Sequence, residues 1–125
     1  MSNEIGTNSK NSRRELTQEE RSLTRWLLEN ADPRVCQDYF SQLDRARVSG
    51  MCPCGCASFD LEVEGMPEPT GGIHVLGDFL FGDAETLCGV FVFERGGVLA
   101  GVEVTGYAVD APRSLPSPAE LRPFE

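Results

Sequence analysis

Some chemistries are excluded by what this 125-residue chain has little of: one histidine, one tryptophan, and one lysine among eleven basic residues. No apolar run approaches the ~20 residues that a membrane-spanning helix needs. The N-terminal stretch MSNEIGTNSKNSRRE is polar and carries no apolar signal core, so a reducing cytosol is the expected compartment. Five cysteines make an odd number, which argues against a disulfide framework. The glycines do not fall into the GxGxxG or GxxxxGK[ST] spacing that cradles phosphate, and no G-x-S-x-G elbow is present. A lone histidine, His74, leaves little for general acid–base work, and a non-enzymatic protein is expected.

What is present is acid. The net charge is −9. Residues 1–50 hold eight basic and eight acidic side chains, whereas 51–125 hold three and twelve, so the whole excess sits in the second part. Such a field repels nucleic acid and anionic lipid and attracts a cationic partner. Solubility alone is the plainer explanation of the same charge. The length fits one domain, and 40% hydrophobic residues can supply its core without disulfides or metal.

The hydrophobic pattern divides the chain. Residues 1–14 read as a polar tail and 15–125 as a single α+β domain. Thr17 followed by Glu20 is a capping-box pattern, and Leu16, Leu23, Trp26 and Leu27 share one helical face up to about Asn30. A second helix is expected from Asp32–Pro33, with Val35, Cys36, Tyr39, Phe40, Leu43 and Ala46 recurring through about Arg47. Ser49–Gly50 should end it. Four strands should follow. They are Ala57–Glu64, with Phe59, Leu61 and Val63 alternating against acidic residues, then Ile73–Phe81, Thr86–Glu94 and Val98–Thr105. Arg95-Gly96-Gly97 marks a hairpin turn between the last two. Residues 108–125 hold four prolines and should lie extended. The expected architecture is two N-terminal helices and a four-stranded, mostly antiparallel sheet, with the helices on one face and much of the acid on the other.

Met51-Cys52-Pro53-Cys54-Gly55-Cys56 is the one string with evident chemistry. Thiolates are soft ligands that suit zinc or monovalent copper. In extended geometry Cys52, Cys54 and Cys56 share one side of the chain, and a turn at Pro53 or Gly55 would draw them closer. Zinc takes four ligands, and His74 or Cys88 is the candidate for the fourth. Against this, structural zinc sites usually use two cysteine pairs, and free cysteine also behaves as a small hydrophobe at a strand entrance. The acids Asp60, Glu62, Glu64, Asp78, Asp83 and Glu85 are the candidate contacts for a basic protein partner. Asp78, Asp83 and Glu85 flank Gly82 as candidate ligands for a cation, but they lack the ligand spacing of a calcium site.

Cys52-Pro53-Cys54-Gly55 resembles the opening of the short SEC-C zinc motif. The chain departs from it at once, with Cys56-Ala57-Ser58 where that motif continues Ser-Gly, so no function is carried over. Ala46-Arg47-Val48-Ser49-Gly50, the C-x-C-G-C-A-S string, Val98–Val104 and Leu115-Pro116-Ser117-Pro118 together resemble small uncharacterised proteins of high-GC bacteria. The small acidic α+β form is similar in style to immunity proteins of bacterial toxin systems. That likeness implies a protein that neutralises a basic toxin domain.

Overall fold

The computed structural model describes residues 13–123, with the side chains of 33–36 excepted. The expected tail over 1–12, and the inner-face roles of Val35 and Cys36, lie outside what is described. Two helices come first: α1, Gln18–Glu29, and α2, Pro33–Asp44. Six strands follow: β1 Ala46–Met51, β2 Phe59–Val63, β3 His74–Phe81, β4 Cys88–Arg95, β5 Val98–Gly106 and β6 Arg122–Pro123. They form one antiparallel sheet in the order β1-β2-β5-β4-β3-β6. The α+β class with two N-terminal helices stands, but the sheet has six strands where the sequence pattern suggests four.

Helix α1 begins as its sequence dictates. The Glu20 amide donates to the Thr17 hydroxyl at 3.1 Å, and the Thr17 amide donates back to the Glu20 carboxylate at 2.9 Å. Arg14 then clamps both oxygens of the same carboxylate at 2.8 Å each. Burial pushes the Glu20 carboxyl up, but the bonds from Arg14 and Thr17 outweigh it and hold the pKa below its ordinary value.

The first additional strand explains the miscount. Helix α2 stops at Asp44, where the Arg45 amide turns back onto the Gln42 carbonyl at 2.9 Å. Ala46 continues the helical face of Tyr39, Phe40 and Leu43, but with Val48 it equally suits a strand in which Arg47 points to solvent. The structure takes the second option: Ala46 and Val48 are buried and Arg47 is exposed. Pairing with β2 through Ala46↔Val63 and Val48↔Leu61 joins two dry strand faces, which a longer helix would leave unmatched. Arg14, placed by the sequence pattern in the tail, bridges to Val48 from the outer side. The other additional strand, β6, is two residues at the sheet edge beside β3, a place where Pro123 forfeits no ladder bond that the sheet requires.

The register sorts the sheet into two faces. Val48, Phe59, Leu61, Val90, Val92, Val102, Val104 and Phe79 alternate onto the covered face and are all buried. Trp26 of α1 meets Phe79 edge-on with ring centroids 4.9 Å apart. Gly77 lets α1 come close, since a Cβ there would lie 2.9 Å from the Leu27 carbonyl oxygen. Gln42 of α2 ties to β5 by donating to the Gly97 carbonyl at 3.0 Å and accepting from the Leu99 amide at 2.7 Å. The opposite face carries Asp60, Glu62, Asp78, Phe91, Phe93 and Glu103. Among the described residues no helix is long and apolar enough to cross a membrane.

Candidate functional site

The connection between β1 and β2, residues 52–58, gathers the three cysteines. It opens with a tight turn in which the Gly55 amide donates to the Cys52 carbonyl at 3.1 Å. Pro53 at the second turn position presets φ, and Gly55 takes a φ of 91° that other residues rarely adopt. The turn brings the Cys52 and Cys54 sulfurs to 2.9 Å. The chain then folds back: the Cys56 amide donates to the Cys54 sulfur at 3.4 Å, as backbone amides do around thiolate ligands. All three Sγ atoms lie within 4.8 Å of one another.

Ser58 anchors this loop to the sheet. The β2–β5 ladder runs no further than Phe59↔Val102, and the Ser58 hydroxyl continues it in place of a backbone group. It accepts from the Val104 amide at 2.9 Å and donates to the Val104 carbonyl at 3.4 Å. The Cys56 thiol donates to the same hydroxyl at 3.3 Å. From the other side, the Ala57 amide donates to the Pro112 carbonyl at 2.9 Å, and the Arg113 guanidinium reaches the Gly55 carbonyl at 3.4 Å. The proline-rich segment therefore straps the cysteine loop, a use that its composition alone does not reveal.

The thiols are inequivalent. Burial pushes Cys56 up, but hydrogen bonds from Ser58 and from its thiol neighbours more than offset it and bring the pKa down to about 7. The hydrogen bond with Cys54 pushes Cys52 up to about 11. Cys56 therefore ionises more readily than Cys52. Cys54 is exposed, Cys52 intermediate and Cys56 buried.

The two residues proposed as a fourth ligand are elsewhere. His74 stands beside the β4–β5 turn, at the other end of β5 from Val104, with its ring 76% exposed and its Nδ1 3.1 Å from Glu94. Cys88 is buried opposite Gly106, where burial pushes its thiol up. Among the described residues no histidine, cysteine or carboxylate joins the three-sulfur group.

The acidic candidates scatter. Asp60 and Glu62 share the outer face of β2, and Glu62 is paired with Arg13 at 2.9 Å. Glu64 lies just past the end of β2. Asp78 sits on β3, three strand spacings or about 14 Å from β2. It is half-buried, and burial raises its pKa. Asp83 and Glu85 belong to the β3–β4 loop. Glu103 is the acid that the sequence reading missed. It projects outward from β5 beside Phe91, between Asp60 and Asp78, and the alternation Val102-Glu103-Val104 was the signal for it.

No protein-family model, curated protein or solved structure matches the chain.

Proposed function

We propose that this chain is a binding protein for a thiophilic metal ion, held by the thiolates of Cys52, Cys54 and Cys56. One observation carries the reading: three sulfurs from five consecutive residues lie within 4.8 Å of one another. A metal–sulfur bond of ~2.3 Å sets ligand sulfurs about 3.8 Å apart in a tetrahedron, so the loop needs adjustments of only about 1 Å to close on an ion. Three small hydrophobes entering a strand would have no reason to face one another across a turn, and Cys54 faces solvent. The test is metal analysis of protein purified anaerobically with reductant, then titration with Zn(II), Cd(II) and Cu(I). One equivalent of ion, with a sulfur-to-metal charge-transfer band for Cd(II) and absent in the C52S/C54S double variant, is the expected result. Indifference to all three ions would overturn the reading.

A second reading rests on the outer face of the sheet, where Asp60, Asp78 and Glu103 surround Phe91 and Phe93, whose ring centroids are 5.7 Å apart. A cleft of about 320 Å³ at its β2 side is lined by Asp60, Glu62 and Glu68, opposed by Arg13 and Arg95. That is the lower end of the ~300–1,000 Å³ usual for ligand pockets and suits one long side chain. This face fits a basic protein surface, in line with an immunity-type role. Capture experiments at low salt with wild type and a D60N/D78N/E103Q variant test it. A specific basic partner lost by the variant supports it, and equal capture by both forms removes it.

A further inference from the structure

The cluster stops at three donors, and that number constrains the ion. Zinc completes a tetrahedron, with four protein ligands in structural sites or three and a water in catalytic ones. The donors able to complete a tetrahedron here are not at hand: His74 and Cys88 lie away from the loop, and no carboxylate joins the sulfurs among the described residues. Monovalent copper is a closed-shell soft ion that thiolates select and that three of them satisfy in a plane. With bonds of ~2.3 Å, a planar set places its sulfurs about 4.0 Å apart, a spacing bracketed by the 2.9 Å Cys52–Cys54 separation and the 4.8 Å limit of the group. Arg113, seated at the Gly55 carbonyl, supplies positive charge beside the net negative charge that three thiolates leave on a monovalent ion.

Resting on the metal-binding reading above, we infer that Cys52, Cys54 and Cys56 form a three-coordinate site for Cu(I) rather than a zinc site. The graded exposure of the ligands adds a direction. Cys56 and its Ser58 anchor are buried, whereas Cys54 is at the surface. A thiol from a receiving molecule meets the ion most openly from the Cys54 side. Its sulfur–copper bond forms as the Cys54–copper bond breaks, its proton passes to the Cys54 thiolate, and copper stays monovalent throughout.

The experiment uses the full chain, reduced and oxygen-free, titrated with Cu(I) against a chromophoric Cu(I) chelator and separately with Zn(II) against a zinc indicator. X-ray absorption is then recorded on each complex. The expected result is one Cu(I) per chain with three sulfurs and no nitrogen or oxygen in its shell. Zinc should bind weakly and carry a water. The C54S variant should keep weakened Cu(I) on two thiolates and lose zinc altogether. Tight zinc binding with four protein donors, or copper gathered as a multinuclear cluster, overturns this inference and leaves the thiophilic site standing. Failure to hold either ion removes both.

Discussion

Two hairpin loops leave the sheet at the same end, and of the two only one brings three candidate ligand atoms together. The loop joining β1 to β2 holds three cysteines, and the loop joining β3 to β4 holds Asp83 and Glu85. Each contains a glycine with positive φ, 91° at Gly55 and 87° at Gly82. In the second loop a single carboxylate oxygen of Asp83 accepts from the Glu85 amide, the Thr86 amide and the Thr86 hydroxyl at 2.9–3.0 Å. That oxygen is spent on its own turn, and among the described residues no third acid joins Asp83 and Glu85 within ligand distance. In the first loop the Cys56 amide bonds the Cys54 sulfur and the Cys56 thiol bonds Ser58, yet all three sulfurs still face one another. A run of donor residues therefore says little until one knows which atoms the loop itself consumes.

The largest effect should come from the cysteines. The C52S/C54S variant is expected to lose metal binding completely while keeping its metal-free melting temperature, since both side chains are at or near the surface. In the same titration, D83N/E85Q should bind the thiophilic ion as wild type does. If the acidic pair were the one that mattered, the contrast between the loops would collapse.

Next in size is Ser58→Ala. It strips the buried Val104 amide of its partner, and an unsatisfied buried donor costs about 1–3 kcal/mol. Urea unfolding should show that loss. The same change removes the Ser58 side-chain bond, the largest of those that lower the Cys56 thiol, and leaves the backbone one, so the alkylation midpoint should move upward. Wild-type stability in this variant would mean that the cysteine loop is not tied to the sheet through Ser58.

Glu20→Gln probes the start of the chain's ordered part. It weakens the capping box and the Arg14 clamp together, at a cost of about 1 kcal/mol. Because the folded pKa of Glu20 lies below its unfolded value, its contribution is complete above the ordinary carboxylate range and is lost as pH falls through it. The wild-type advantage over E20Q, read from unfolding curves, should shrink from pH 6 to pH 3. A constant gap would assign the effect to packing instead.

Much of this was legible in the residues. Thr17-x-x-Glu20 located the start of α1, and Gly96-Gly97 located the β4–β5 hairpin. The period-2 pattern of Phe59, Leu61 and Val63 showed which side of β2 is dry. Strand β1 was hidden because Ala46 fits the helical period of Leu43 as well as the strand period of Val48, and only the existence of a partner edge on β2 decides between them. Strand β6 was hidden because a proline-rich segment gives no periodic signal, though its pairing needs only two residues. The cysteine string and the turn at Pro53–Gly55 that draws it together were visible, but the anchor of the loop at Val104 was not, since it depends on a partner distant in sequence. His74 was offered as a ligand from residue type alone, and strand register places it at the far end of β5.

The smallest effect belongs to Asp83, and it tests the loop comparison from the side of the acid. Bonds from the Thr86 hydroxyl and from the Glu85 and Thr86 amides hold its carboxyl below the usual range. A depressed folded pKa means stability present above the unfolded value and lost as pH drops below it. The group is fully exposed, so the gain is screened and small. Asp83→Ala should lower the melting temperature slightly at pH 7, and the difference should narrow as pH falls through the depressed pKa of the wild-type carboxyl. Calcium or magnesium should leave both forms unchanged, because among the described residues no third acid joins Asp83 and Glu85 within ligand distance. A cation-dependent rise in melting temperature that disappears in Asp83→Ala would show that the loop can give up those bonds, and that being self-satisfied does not close it to a ligand.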